Sequence, residues 1–191
     1  MLSEKEILEL LKNSNALLSG HFVLTSGLHS PLYIEKFRLL EQPKITEILC
    51  TEIAEHFREK KITDVIGPMT GGIIIAYEVA KQLGVKFCFT ERVDGKMKLK
   101  RGFQLLQDDN VLIVEDIITT GSSVLEVIKE IEKFKSTIVG LGYLVDRSNG
   151  NAKFPFPSKP LIKLDVINYK PDECPLCKSG IPLVKPGSTN K

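Results

Sequence analysis

Two adjacent acids followed by a run of small residues form the segment of this sequence best suited to chemistry. Glu115 and Asp116 follow the apolar run at residues 111–114, and the small residues begin after two intervening isoleucines. Small hydroxyl residues and glycine at the start of a helix offer backbone N–H groups to a phosphate. Two carboxylates can accept hydrogen bonds from the hydroxyls of a sugar. The segment therefore predicts a site for a ribose 5-phosphate, built with Thr119, Thr120, Gly121, Ser122 and Ser123.

An alternative is that these hydroxyl residues only cap a helix and that the two acids are solvated. It does not explain why both carboxylates come at the exit of an all-apolar strand. Neither the P-loop pattern nor the dinucleotide-binding G-x-G-x-x-G pattern occurs, which argues against an ordinary nucleoside triphosphate or dinucleotide site.

The elements that must position this segment alternate between helix and strand from residue 42 onward. Because such alternation is typical of a parallel sheet covered by helices, we expect an α/β fold. It would be an open, mostly parallel twisted sheet with helices on both faces, and its ligand crevice would lie at the carboxyl ends of the strands. The predicted strands are 64–67, 86–90, 111–115, 137–145 and an edge strand at 161–167, and the predicted helices are 45–57, 71–83 and 122–134.

The two ends of the chain depart from this alternation. Ser3 and Glu6 form a capping box that begins a short helix, and short strands at 22–25 and 32–35 then flank a turn with Gly and Pro. We expect one domain over residues 1–191. It would comprise an N-terminal helix and small hood (1–40), an α/β core (41–170) and a C-terminal tail (171–191).

Composition restricts the function further. The chain has 191 residues, 42% of them hydrophobic, and a formal net charge of +2. This charge is too small to indicate a nucleic-acid partner, and no apolar run approaches the length of a membrane span. The charged N-terminal residues favour a cytoplasmic protein with reduced thiols.

The thirteen residues at 111–123 resemble the phosphoribosyl pyrophosphate (PRPP) signature of the type I phosphoribosyltransferases. Its Glu-Asp pair followed by Thr-Thr-Gly resembles the orotate branch of that family. The resemblance implies that the two acids hold the ribose hydroxyls and that the following residues cradle the 5-phosphate. The PRPP-binding residues implied in this segment are Glu115, Asp116, Ile117, Ile118, Thr119, Thr120, Gly121, Ser122 and Ser123.

Three other segments resemble the same branch. Residues 21–27 and 30–34 are similar to the hood that covers the pyrimidine, and residues 67–72 are similar to the pyrophosphate loop, with Thr70 and Gly71 contacting PRPP. Arg147 stands where the family places an arginine against the orotate carboxylate; the alternative is a surface ion pair with Asp146. The implied orotate-binding residues are Thr25, Tyr33, Thr119 and Arg147.

Residues 91–102 carry five cations and two anions. This stretch resembles the flexible catalytic loop that reaches across a homodimer into the neighbouring site. Since pyrophosphate gains negative charge as it leaves, cations on such a loop would stabilise the transition state. We expect Lys96 to act in catalysis together with Glu115 and Asp116, assisted in PRPP binding by Arg92, Lys98 and Lys100. The alternative is a solvated hairpin.

The resemblance implies Mg²⁺-dependent transfer of ribose 5-phosphate from PRPP to orotate. Mg²⁺ would be held through PRPP and water near Glu115 and Asp116, without direct side-chain ligands. Two other functions remain open: transfer to another base, such as adenine, xanthine or uracil, and a PRPP-sensing regulatory protein of the same fold.

Cys174 and Cys177 form a C-x-x-C in the proline-rich tail. One such pair is half of a zinc site, but no second pair and no nearby histidine accompanies it in the sequence. The histidines at 21, 29 and 56 do not form a motif. We therefore expect reduced thiols that pack the tail, and the sequence leaves metal binding open.

Overall fold

The computed structural model describes residues 1–186. Its N-terminal part begins with helix α1, where Ser3 and Glu6 form the predicted capping box. A two-stranded antiparallel sheet, the hood hairpin, follows. The elements of this part are α1 (Glu4–Asn13), β1 (Leu17–Val23), β2 (His29–Ile34) and α2 (Lys36–Leu40).

The body is a six-stranded sheet in the order β5-β4-β3-β6-β7-β8. All neighbouring pairs are parallel except β4 with β5 at one edge, so the predicted fold class is confirmed. The strands are β3 (Asp64–Pro68), β4 (Lys86–Val93), β5 (Lys96–Leu99), β6 (Asn110–Ile118), β7 (Thr137–Asp146) and β8 (Ser158–Lys163). The helices are α3 (Pro43–Phe57), α4 (Gly71–Leu83), α5 (Ser122–Ile131) and α6 (Pro175–Lys178).

Two apolar cores lie on opposite faces of the sheet. Successive residues of β6 alternate between them: Leu112 and Val114 pack with α3 and α4, whereas Val111 and Ile113 pack with α5. Because side chains of a strand point alternately to its two faces, helices must cover both. Central β6 is thereby buried on both sides, and its carboxyl end is positioned by pairing with β7 as far as Ile118.

Several element bounds differ from those expected. Strand β6 runs to Ile118, beyond the predicted residue 115, because Ile117 and Ile118 still pair with β7. The helix predicted to reach residue 134 ends at Ile131 and continues as a 3₁₀ turn, and the edge strand begins at Ser158. The hood strands begin and end earlier than the predicted 22–25 and 32–35, and α2, β5 and α6 were not predicted.

The C-terminal tail contacts the hood hairpin. Val184 bridges to Phe22 and Tyr169 bridges to His29, so tail backbone extends the small sheet on both sides. The last five residues of the predicted tail lie outside the described residues. Among residues 1–186, no helix has both the length and the apolar composition needed to cross a bilayer.

Candidate functional site

The cradle is a small cavity at the junction of β6 and α5. Gly121 has φ +76° at the start of α5, and a Cβ there would lie 2.9 Å from Phe154 Cζ. A glycine is required by both constraints. Gly121 has no side chain to cap the helix, and Ser122 N–H donates only a long hydrogen bond of 3.4 Å to Thr120 Oγ1, so the first turn of α5 has N–H groups available to the cavity. The lining residues are Glu115, Ile117, Ile118, Thr119, Thr120, Gly121, Ser122, Ser123 and Val124.

Glu115 and Asp116 are buried, with 7% and 4% of their surface exposed. The alternative of solvated acids is therefore wrong. Glu115 Oε1 accepts a hydrogen bond from the Asp116 backbone N–H at 3.0 Å, and Asp116 Oδ1 accepts one from Ile117 N–H at 2.6 Å. Burial, and then the neighbouring Asp116 charge, raise the pKa of Glu115. The pair is poised to accept further hydrogen bonds or to meet a cation.

Lys36 forms an ion pair with Asp116, and the sequence did not predict this contact. Its Nζ lies 2.6 Å from Asp116 Oδ2. Lys36 is the first residue of α2, immediately after the hood segment, so helix α2 delivers a cation from the hood to the acids. In the sequence, Lys36 is a single lysine just after a predicted strand. Nothing distinguishes it there from an ordinary surface lysine.

The predicted pyrophosphate loop lies beside the same acid. It connects β3 to α4, contains a cis peptide bond between Met69 and Thr70, and is held by a hydrogen bond from Met69 N–H to Thr90 O at 2.8 Å. Thr70 is exposed, whereas Gly71 is buried so closely against Asp116 that its Cβ position would lie 1.9 Å from Oδ2. The loop backbone and the acid pair therefore share one edge of the sheet.

A larger cavity of about 880 Å³ lies between the hood, the cradle and the tail. All four residues predicted to bind orotate, Thr25, Tyr33, Thr119 and Arg147, line it. Thr119 and Thr120 line both cavities, so the two are adjoining. Val23, Leu24, Ser26 and Gly27 of the predicted hood segment also line it. The lining residues that were not predicted are Leu28, Asn168, Lys185 and Pro186.

Arg147 is partly buried in the wall of this larger cavity, called the base cavity below because the residues predicted to bind the base line it. Its backbone N–H donates to Ile118 O at 2.8 Å, which fixes it beside the end of β6. The alternative of an ion pair with Asp146 is wrong, because no ion pair joins the two side chains; the Asp146 carboxylate accepts hydrogen bonds from Tyr143 Oη and Ser148 N–H. Within residues 1–186, no carboxylate lies within ion-pair distance of Arg147. Burial lowers the pKa of its guanidinium, which nevertheless stays charged.

The basic stretch forms a hairpin of β4 and β5, not an irregular loop. Arg92 pairs with Glu126 of α5 at 3.2 Å, and Arg101 pairs with Glu91 at 2.9 Å. In the described part of the chain, no cation of this stretch lines the cradle or the base cavity. The structure therefore does not bring Arg92, Lys96, Lys98 and Lys100 together with the acids of the same chain.

Comparisons with known proteins agree with this geometry. A family model described as "Phosphoribosyl transferase domain" matches residues 38–172. The chain is 48% identical to an orotate phosphoribosyltransferase of Thermoanaerobacter sp. (strain X514) over 98% of both chains, and 48% identical to that of Desulforamulus reducens over 98% of both. A crystal structure of orotate phosphoribosyltransferase from Aeropyrum pernix aligns with a TM-score of 0.72 and 26% identity, covering 83% of this chain and 93% of that one.

Proposed function

Since the chain belongs to the orotate phosphoribosyltransferases, within the phosphoribosyl transferase domain family, we propose that it transfers ribose 5-phosphate from PRPP to orotate. The products are orotidine 5′-monophosphate and pyrophosphate, in pyrimidine nucleotide biosynthesis.

The position of Arg147 is the observation that favours orotate over other bases as the substrate. A partly buried guanidinium without an acidic partner among residues 1–186 faces a cavity that adjoins the cradle. A planar carboxylate is its natural partner, since guanidinium binds carboxylate through two parallel hydrogen bonds. Orotate carries such a carboxylate, whereas uracil and adenine do not. Tyr33 and Thr25 of the hood lie on the same cavity and are proposed to contact the pyrimidine ring.

The cradle and the acid pair supply PRPP binding. The first turn of α5 binds the 5-phosphate through N–H and hydroxyl groups, and Glu115 and Asp116 accept hydrogen bonds from the ribose hydroxyls. A pyrimidine ring nitrogen forms a bond to C1 of the ribose as the bond from C1 to the pyrophosphate oxygen breaks, with inversion. Because positive charge develops on the ribose, the neighbouring carboxylates favour the oxocarbenium-like transition state.

The donor set around the acids fits Mg²⁺, which prefers carboxylate, phosphate and water oxygens. Asp116 Oδ2 is buried and has Lys36 as its only close cation among residues 1–186, so the charge of the pair is incompletely compensated. Mg²⁺ would be held by the diphosphate of PRPP and by water beside Glu115 and Asp116, and when bound it neutralises the leaving pyrophosphate.

We further propose a homodimer in which residues 91–102 of one chain complete the site of the other. The support is that Lys96 and Lys100 are exposed and lie away from both cavities of their own chain, although leaving pyrophosphate requires cations. Lys96 is the proposed catalytic cation, and Arg92, Lys98 and Lys100 assist in PRPP binding.

A base panel tests the reaction. Purified protein with PRPP and Mg²⁺ is incubated with orotate, uracil, adenine, hypoxanthine or xanthine, and loss of base and release of pyrophosphate are measured. We expect turnover of orotate alone. Turnover of another base in preference to orotate would overturn the substrate, and PRPP binding without turnover of any base would favour a regulatory protein.

Hybrid dimers test the shared site. Lys96→Ala and Asp116→Asn chains, each inactive alone, are mixed under conditions that exchange subunits. If the hairpin acts across the dimer, each hybrid contains one site without either substitution, and about a quarter of wild-type activity should return for a twofold-symmetric dimer. If Lys96 acts within its own chain, no activity should return.

A further inference from the structure

Four side chains from the two ends of the chain converge beside the hood hairpin. His21 lies on β1 and His29 begins β2, whereas Cys174 precedes α6 and Cys177 lies within it. Their potential ligand atoms all lie within 4.8 Å of one another. The sequence separates the histidines from the cysteines by about 150 residues, which is why the C-x-x-C looked like an isolated half-site.

Four of the six distances between these ligand atoms are close to those of one tetrahedral ion with two nitrogen and two sulfur ligands, and all six are within 4.8 Å. With Zn–N near 2.0–2.1 Å and Zn–S near 2.3 Å, a tetrahedral site requires about 3.3 Å between the nitrogens and about 3.6 Å between nitrogen and sulfur. His21 Nε2 lies 3.0 Å from His29 Nδ1 and 3.5 Å from Cys174 Sγ. Cys177 Sγ lies 3.3 Å from His29 Nδ1 and 3.7 Å from His21 Nε2.

The tautomer of the neutral His21 ring is set by its other ring nitrogen. Nδ1 lies 2.7 Å from the carbonyl oxygen of Ile181. A carbonyl can only accept, so Nδ1 carries the hydrogen and the neutral ring turns the lone pair of Nε2 toward the cysteines and His29. A backbone carbonyl on the second nitrogen is the usual support of a metal-binding histidine.

The backbone holds these residues in place independently of any ion. The backbone of His29 exchanges two hydrogen bonds of 2.8 Å with Tyr169, and Val184 N–H donates to His21 O at 2.8 Å. His21, His29 and Cys174 are buried, with 2%, 5% and 0% of their surface exposed, whereas Cys177 is exposed. The site is thus preformed, and it opens to solvent on one side through which an ion can enter.

We propose that His21, His29, Cys174 and Cys177 bind one Zn²⁺. Two thiolates and two imidazoles in tetrahedral arrangement select zinc among the common divalent ions. Four protein ligands leave no open position, so the role is structural. The ion would join the tail to the hood hairpin. Both segments also line the base cavity, the hood through Thr25 and Tyr33 and the tail through Asn168.

Metal content and cobalt substitution test this assignment without reference to catalysis. Full-length protein purified under reducing conditions is assayed for zinc by elemental analysis, and the metal-free protein is titrated with Co²⁺ and then Zn²⁺. We expect about one zinc per chain, and thiolate-to-cobalt and tetrahedral cobalt absorption bands that Zn²⁺ abolishes. Absence of bound zinc together with absence of the cobalt bands would overturn the proposal.

Matched variants locate the site. Cys177→Ser changes an exposed residue and should leave the fold intact, and His21→Gln removes a second ligand; each should lower zinc affinity by at least about 10-fold. His56→Gln, an exposed histidine of α3, and Cys88→Ala, a buried cysteine of β4, should retain wild-type zinc content. Unchanged affinity in folded Cys177→Ser protein contradicts the proposal.

Discussion

The cradle and the base cavity are built in different ways. The cradle is a single uninterrupted segment, in which β6 ends, three residues turn and α5 begins. The base cavity is assembled from the hood, from Arg147 after β7, and from tail residues near 168 and 185. The proposed 5-phosphate site therefore depends on local backbone geometry, whereas the proposed base site depends on how distant segments pack. Substitutions in the two regions should consequently have separable effects on the two substrates.

The largest expected effect is in the acid pair. Asp116→Asn places an amide N–H₂ where an acceptor is needed and leaves Lys36 without its ion-pair partner. We expect kcat/KM to fall by about 10²–10³-fold, the usual effect of removing one electrostatic contact at a reacting centre. Steady-state kinetics measure it, with exposed Asp108→Asn as the control. An Asp116→Asn enzyme within threefold of wild type would show that the acid pair is not part of the site.

Arg147→Ala should separate the substrates most clearly. Loss of a charged hydrogen-bonding group costs about 1.5–3 kcal/mol, so kcat/KM for orotate should fall by about 10- to 100-fold while the KM for PRPP stays nearly constant. Arg58→Ala, which removes an exposed arginine paired with Glu55, is the matched control. Equal losses for both substrates would contradict the division between the cradle and the base cavity.

Removal of the proposed zinc site should give a smaller effect in the same direction. In the double variant Cys174→Ser, Cys177→Ser, the tail is no longer fastened to the hood, and both segments line the base cavity. The KM for orotate should rise several-fold, within the roughly 10-fold range typical of outer supporting residues, and the KM for PRPP should change less. A selective rise in the KM for PRPP would mean that the tail supports the cradle instead.

The last expected effect concerns stability instead of activity, and it depends on pH. Burial and the Asp116 charge raise the pKa of Glu115 above its ordinary value of 4.5. Between pH 4.5 and about 8, Glu115 holds a larger fraction of a proton in the folded protein than in the unfolded chain. The free energy of unfolding therefore decreases as the pH rises through this range. Glu115→Gln lacks this contribution.

Urea unfolding at several pH values above 4.5 measures the difference. The free energy of unfolding of Glu115→Gln relative to wild type should increase with pH, by at most about 1.4 kcal/mol per unit. Exposed Glu59→Gln should follow wild type at every pH. A difference that shrinks as the pH rises would mean that the folded protein stabilises the ionised form of Glu115.

The cradle and the base cavity also differ in how much of each could be predicted from the sequence. The alternation of apolar strands and amphipathic helices predicted the sheet, and the Glu-Asp and Thr-Thr-Gly run predicted the cradle, because both depend on neighbouring residues. Arg147 and Tyr33 were found through resemblance, and the structure places both on one cavity.

What could not be predicted depends on tertiary contacts. Lys36 meets Asp116 only because α2 carries it from the hood to the end of β6. Likewise, His21 meets Cys174 only because the tail returns to the hood hairpin, and no local pattern encodes that return. The basic stretch was expected to be a loop, but pairing of β5 with β4 makes it a hairpin.

The reverse reaction tests the central claim most directly, since orotidine 5′-monophosphate and uridine 5′-monophosphate differ only by the carboxylate assigned to Arg147. Both nucleotides are incubated with pyrophosphate, Mg²⁺ and either wild-type or Arg147→Ala protein, and formation of PRPP is measured. The account predicts rapid consumption of orotidine 5′-monophosphate alone, with a large part of that preference lost in the variant. Equal consumption of the two nucleotides by the wild-type protein would contradict it.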